Sequence, residues 1–432
     1  MAALPISPSS ALEFDVVVVG AGIIGLTVAR QFLLGSDLSV AVVDAAVPCA
    51  GATGAGQGYI WMAHKTPTSA LWDLAMRSKR LWEMLADSIQ QKGMDPLEIL
   101  GWKKTGSLLI GRTSEEVAML KDRVELLSKA GLRAEYLSSH DLLSKEPALE
   151  IGKEGGAAFI PDDCQISALW TVSFIEKENR DFTSKGRYAE FFHDPAISLI
   201  RGSRSGEVEA VQTSKNILYC KKAVVIAAGS WSGSLMQKLL SESNIALNVP
   251  VKPRKGHLLV VENFDSFTLN HGMMEVGYVD HQIAPSHPST SSDLVANEQN
   301  LSISMTATTD AMGNLVLGSS RQFAGFNTEV EDSIINSIWT RAGEFFPALR
   351  ELELSNLSDN KKVRVGLRPY MPDGKPIIGP VPGLPNLLIA AGHEGEGLSM
   401  ALGTAEMVFD MVLGNITKVD SAPFAVTGRC YN

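Results

Sequence analysis

The apolar positions along the chain fall into three patterns. Phe14–Val19 (FDVVVV), Leu38–Val43 and Ala223–Ala228 (AVVIAA) are apolar runs rich in β-branched residues. They lack the alternation of a half-wet strand and predict strands covered on both faces, as in a parallel sheet. A second pattern repeats at three and four. Ser69–Gln91 places Leu71, Leu74, Leu81, Met84, Leu85 and Ile89 on one face, and Glu115–Ala130 is similar, so both predict amphipathic helices. Further helices are predicted over Leu26–Leu34, Ser139–Lys145, Ala168–Arg180, Leu398–Leu413 and Glu331–Phe346, the last stopped by Pro347. The third pattern is short runs at 106–110, 196–200, 208–213, 216–219, 258–261, 302–306, 315–318 and 387–391, which predict short strands. Gly152–Asp163 reads as a loop, and the polar stretch Ser286–Asn300 as a mobile one.

The first strand, the helix after it and the second strand form a βαβ unit. Gly20-Ala21-Gly22-Ile23-Ile24-Gly25 sits at its first turn with GxGxxG spacing. Gly20 permits the tight turn, Gly22 lets backbone approach a pyrophosphate, and Gly25 lets the helix pack on the strand. The helix N-terminus then offers free N–H groups and a positive dipole end to phosphate. Asp44 follows Gly25 by 19 residues at the end of the second strand, where an acid binds ribose hydroxyls. Alone this spacing is weak evidence. With strand, helix and acid all in place it is a dinucleotide signature.

Two more glycine clusters decide between dinucleotides. Gly51–Gly58 (GATGAGQG) predicts a nest of backbone N–H groups, and Gly392–Gly397 precedes the C-terminal helix. Ala223–Trp231 (AVVIAAGSW) adds a strand that meets glycine. A ligand touched from both ends of the chain is long, which favours FAD over a nicotinamide cofactor held by one βαβ half.

Composition narrows the class. At roughly 150 residues per domain, 432 residues hold about two to three domains. A net charge of −10 points away from nucleic acid and anionic membrane. Cys49, Cys164, Cys220 and Cys430 form no CxxC pair, and the histidines show neither HxH nor HExxH spacing, so neither thiol redox chemistry nor a bound metal is expected. The N-terminal stretch Met1–Glu13 carries no Lys or Arg and no apolar run and predicts a loose tail; 416–432 is expected as a second tail. The longest apolar stretch, Val16–Ala29, is too short to span a bilayer, so no transmembrane segment is expected.

The chain resembles the D-amino-acid oxidase/glycine oxidase family of FAD-dependent oxidoreductases, from Phe14 to about Leu413. VVVVGAGIIG, VVIAAGSWS and GLRPYMPDGKPIIGPVPGLPNLLIAAGHEGEGLSMALG at 366–403 carry the resemblance. GATGAGQGYIWMAHK at 51–65 is similar to plant members, which implies plastid or cytoplasm. The resemblance implies an α/β fold in which a glutathione-reductase-like FAD-binding domain, with a parallel Rossmann βαβ sheet, is interleaved with an α+β substrate domain on a mixed or antiparallel sheet. The FAD domain is expected over 14–96, 136–249 and 361–415, and the substrate domain over 97–135 and 250–360.

It also implies contacts. Gly20, Gly22 and Gly25 hold the pyrophosphate and Asp44 the ribose. Thr53, Gly56, Gln57 and Gly58 line the pyrophosphate and flavin. Ile197 lies beside adenine, and Ala228, Gly229 and Trp231 close against the cofactor. Gly392, Gly395, Gly397 and Leu398 sit at the flavin's pyrimidine end, where a helix N-terminus stabilises negative charge. FAD is expected to be non-covalent, because the relatives' attachment cysteine is missing near 366–372.

The implied reaction moves a hydride from the carbon beside an amine to flavin, and the imine then hydrolyses. Arg368, in GLRP, is the implied carboxylate-binding residue, since a guanidinium makes two parallel bonds to a carboxylate. His64, with Lys65, follows the flavin-side loop and is a catalytic candidate. Arg254 and Arg321, on predicted strands, are secondary candidates for substrate contact. Many relatives carry a further Arg where this chain has Glu394 and Glu396. These two are expected to turn away or to cap helix N–H groups, or else to meet a basic substrate. The expected partners are a small amine or amino acid and oxygen or another acceptor. A 2-hydroxy-acid dehydrogenase and a flavoprotein assembly factor with weak catalysis stand as alternatives.

Overall fold

A computed structural model describes residues 12–202, 206–241, 245, 247–280 and 301–430. The segment read as a mobile loop, 286–300, lies outside the described residues, as does nearly all of the N-terminal tail. The chain divides into two compact units. One combines the residues up to Thr53 with Val172–Lys252 and the residues from Pro369 on. The other combines Gly54–Thr171 with Pro253–Arg368.

The first unit is built on an eight-stranded sheet. Its central order is Ile377–Val381, Leu384–Ala391, Ile217–Ile226, Leu12–Val19, Val40–Val43, Tyr188–Phe191. From Leu384–Ala391 to Tyr188–Phe191 every neighbouring pair is parallel, with Val17 beside both Ala41 and Val224. The apolar runs rich in β-branched residues are therefore where both faces are covered: Val17, Val43, Val224, Leu387 and Ile389 are all fully buried. The runs read as separate strands at 216–219 and 223–228 are one strand, Ile217–Ile226, since the polar Lys221 and Lys222 between them simply face solvent. The first helix, Ile23–Gly35, starts earlier than its apolar periodicity suggested, because Gly22 is its N-cap and the second half of the glycine motif is already helical.

The second unit holds another eight-stranded sheet, in the order Lys361–Tyr370, Lys252–Val261, Leu315–Arg321, Ser302–Thr309, Gly272–Glu275, Ser107–Gly111, Gly156–Ile160, Glu135–Ser138. Gly272–Glu275 pairs with Ser107–Gly111 in parallel, while the pairs flanking it are antiparallel, so the sheet is mixed. One face packs on the helix Asp332–Gly343 through Leu259, Met305, Leu317, Ile335 and Ile338.

Three expectations change here. Gly152–Asp163 is not a loop: Gly156–Ile160 is a fully buried strand paired on both sides, and its small residues (GAA) hid it from a β-branched pattern. Residues 136–160, expected with the FAD domain, supply strands to this second sheet. Pro347 does not stop the preceding helix, which ends at Gly343 rather than Phe346; it opens the short helix Pro347–Arg350 at its first turn, where its missing N–H costs nothing. Among the described residues no helix is long and apolar enough to cross a membrane.

Candidate functional site

The parallel strands of the first unit end on one edge. Val19, Val43, Ile226 and Ala391 are their last residues, so Gly20, Asp44, Ala227–Gly229 and Gly392 line the carboxyl ends of the strands. Open α/β sheets bind ligands at that edge. Gly20 has φ +119°, and a Cβ there would meet Ala227 backbone, with the carbonyl carbon at 2.7 Å. A Cβ on Gly25 would overlap the carbonyl oxygen of Gly20. Those two glycines therefore let turn, helix and neighbouring strand come together.

The helix N-terminus behind them fits a phosphate. Its N-cap Gly22 has no side chain to satisfy the first amides, and its first turn carries no acidic residue. Thr53 Oγ1 accepts from Ile23 N at 3.1 Å, which brings the second glycine cluster to this turn. Asp44 accepts from Ala21 N at 2.6 Å and from Ala46 N at 2.7 Å. Its carboxylate is thus locked beside the turn and keeps lone pairs for a ribose hydroxyl.

Gly397 begins the helix Gly397–Leu413, which packs on the first helix through Phe32 and Phe409, their rings 5.4 Å apart. Gly395 lies in the single turn before it, and Leu398 is buried in its first turn. Glu394 accepts from Gly395 N, and Glu396 accepts from Ser399 Oγ at 2.8 Å; the N-cap Glu396 makes no side-chain bond to a helix amide. His393 is buried against Thr404 Oγ1 at 2.9 Å, and burial pushes its pKa down to about 3, so it stays neutral. Ala228 precedes the turn Gly229–Trp231, and Trp231 is 42% exposed. Ile197 lies on the strand Ala196–Arg201, half-buried, three residues after Asp194, whose N donates to Asp44 O at 3.0 Å beside the carboxyl edge.

The remaining sequence candidates belong to the second unit. Gly56 and Gln57 follow the short helix Ala52–Ala55, and Gly58 packs on Ile166. Gln57 Oε1 accepts from Thr306 Oγ1 at 2.9 Å, while its Nε2 is buried with no bond among the described residues. Tyr59 stacks on Trp61 at 3.6 Å; burial holds the Tyr59 hydroxyl well above its usual pKa. Asp163 fixes the segment that follows. It is fully buried and accepts from Met62 N at 2.9 Å, Ala63 N at 3.1 Å and Ser107 Oγ at 2.7 Å. Burial raises its pKa to about 6 against those donors. Sequence reasoning missed Asp163, and only its place in the polar pair Asp162-Asp163 hinted at it.

His64 is buried next, its Nε2 3.2 Å from Lys65 Nζ. Its ring meets Tyr278 edge-on at 6.1 Å. Arg368 Nη1 donates to Ser320 O at 2.9 Å, and its guanidinium lies over Gly256, where a Cβ would sit 2.6 Å from Arg368 Cζ. Ser320 is itself pinned by His257, whose N and Nδ1 lie 2.9 Å and 3.0 Å from its Oγ. Arg321 follows it on the same strand, 1% exposed, with Cζ 4.0 Å from the Tyr278 ring centroid.

The sequence as a whole matches the family model described as FAD dependent oxidoreductase over residues 15–411. The chain belongs to the FAD-dependent oxidoreductase family. Its cofactor is FAD, and the glycine turn and Asp44 fit the dinucleotide the family binds. Members it is similar to include glycine oxidase of Bacillus subtilis, 26% identical over 94% of this chain and 95% of that one. A hydrogen cyanide synthase subunit of Pseudomonas aeruginosa is 24% identical over 95% of each chain. The crystal structure of glycine oxidase from Geobacillus kaustophilus superposes with a TM-score of 0.77 at 22% identity, covering 97% of this chain and 99% of that one, and shows that the fold is shared.

Proposed function

We propose that this flavoprotein oxidises the C–N bond of a small amino acid or amine, giving an imine that water converts to a carbonyl compound and ammonia. The observation that carries the reading is the nearly end-to-end similarity to glycine oxidase together with an arginine, Arg368, set on the sheet of the second unit. The first unit is the FAD-binding part and the second the substrate-binding part. Bound FAD supplies the two-electron, hydride-accepting chemistry, and oxygen or another acceptor removes the electrons afterwards.

The chain's residues orient and insulate. Gly20, Gly22 and Gly25, with Thr53 and Asp44, hold the dinucleotide through backbone and dipole. Gly56, Gln57 and Gly58 serve its pyrophosphate and flavin, with Ala228, Gly229 and Trp231, and Ile197 the adenine. Gly392, Gly395, Gly397 and Leu398 serve the flavin's pyrimidine end. Arg368 binds the substrate carboxylate. His64, buried beside Lys65, positions the reacting amine in a setting whose burial favours the uncharged amine that releases hydride.

FAD is held non-covalently. All four thiols are free, and burial pushes Cys49 and Cys430 up to about 11 and Cys164 and Cys220 up to about 12, so none is a ready nucleophile. Acid precipitation is expected to leave a colourless pellet and free FAD. The plant-like segment 51–65 supports a plastid or cytoplasmic setting, checked by imaging a fluorescent fusion.

The test of function is product analysis. Incubated aerobically with a panel of amino acids, N-methylamino acids and 2-hydroxy acids, the enzyme is expected to release ammonia or methylamine with the matching 2-oxo acid. Turnover of the hydroxy acids alone would make it a hydroxy-acid dehydrogenase, and turnover of none an assembly factor.

A further inference from the structure

Arg321 is a charged side chain with no counter-ion among the described residues. It is 1% exposed, and both Nη1 and Nη2 lack a hydrogen-bond partner among the described residues. Folded chains almost never bury a cation this way without an anion. Tyr278 does not fill that role. Its ring covers the face of the guanidinium, with Cζ 4.0 Å from the ring centroid, and stacking leaves the in-plane N–H donors unused. Whatever completes Arg321 must therefore arrive in the guanidinium plane, where two donors lie side by side.

Its surroundings are rigid. Ser320 is held by His257 through its hydroxyl and by Arg368 through its carbonyl. Tyr278 meets the His64 ring edge-on, and Trp61 beside Tyr59 carries another buried donor, Nε1, with no bond among the described residues. A fixed guanidinium with parallel free donors matches the two oxygens of a carboxylate.

We propose that Arg321 binds a carboxylate of the substrate through Nη1 and Nη2, so that this enzyme acts on carboxylate-bearing amines and has a second arginine, besides Arg368, that selects for that charge. The proposal deepens the function above, on which its word "substrate" rests. Carboxylate binding itself needs no oxidation, so the two fail separately. The carboxylate is either the single one of an amino acid or the second one of a dicarboxylic amine.

The test uses the full-length, FAD-loaded protein and unreactive probes: acetate and malonate, with acetamide and malonamide as neutral counterparts. Binding is read from melting-temperature shifts and flavin absorbance. The wild type is expected to bind carboxylates and not the amides, and Arg321→Met to lose about tenfold or more in carboxylate affinity. Loss with both acids assigns Arg321 to a lone carboxylate; loss with malonate alone assigns it to a second one. The melting temperature of Arg321→Met without ligand is expected to hold or rise, because an unpaired buried charge is removed. Arg321→Lys keeps the charge without the fork and is expected to bind several-fold more weakly than wild type. No carboxylate binding by the wild type, equal binding of the amides, or wild-type affinity in Arg321→Met or Arg321→Lys would overturn the proposal. A lowered melting temperature with unchanged carboxylate affinity would make Arg321 a structural residue.

Discussion

The two regions that hold the candidate residues are built in opposite ways. Around Gly20–Gly25 the work is done by backbone: missing side chains let a turn, a helix end and a strand approach, and the polar groups nearby are paired, as Asp44 and Thr53 show. Around Gln57, Trp61 and Arg321 the candidates are side chains, and several of their donor atoms are buried with no partner among the described residues. In the first region the donors left over are helix-end amides after Gly22; in the second they are buried side-chain atoms. A region with orphaned donors is built for something that arrives later.

The sharpest way to break that contrast is Gly25→Ala. The new Cβ would collide with the Gly20 carbonyl, which cannot move without shifting the whole turn. A loss of about 3 kcal/mol or more, with FAD content near zero, is expected from melting curves and flavin absorbance. Near-normal FAD content would show that the close approach is not what the turn depends on.

Asp163→Asn comes next. It exchanges a carboxylate that accepts from Met62 N, Ala63 N and Ser107 Oγ for an amide that turns a donor on them. A cost of about 2–3 kcal/mol at neutral pH is expected. The pH dependence has a definite sign. Its folded pKa, about 6, lies above the unfolded one, so the folded state keeps a proton that the unfolded chain has released. Its contribution is fully present below about pH 4 and is lost as pH rises to about 6. Denaturant titrations across that window should show a falling component in wild type that Asp163→Asn lacks.

How much of this was legible in the sequence follows the same division. The glycine turn, Asp44 and the parallel strands could be read because backbone recognition leaves its spacing in the chain. Gly156–Ile160 could not, because a strand buried between two neighbours tolerates glycine and alanine and shows no β-branched pattern. Arg321 was visible only as an arginine on a predicted strand. Its setting depends on Tyr278, which is distant in sequence and whose ring covers the guanidinium in the fold. Asp163 is similar: its donors lie far from it in sequence.

Smaller changes sharpen the comparison. Thr53→Val keeps the shape but takes the acceptor from Ile23 N, and about 1 kcal/mol is expected in a melting comparison. Lys129→Ala removes an exposed pair with Glu125 one helical turn away and should change stability by less than about 0.5 kcal/mol. A larger effect there would mean that surface charge, not the buried network, dominates this unit.

The central claim is that the flavin takes electrons from an amine carbon next to a carboxylate. Anaerobic mixing with amino acids and with the matching 2-hydroxy acids reads that step alone, before any acceptor matters. The account predicts that at least one amino acid bleaches the flavin absorbance while its hydroxy counterpart does not. Bleaching by the hydroxy acid instead, or by neither, would contradict it.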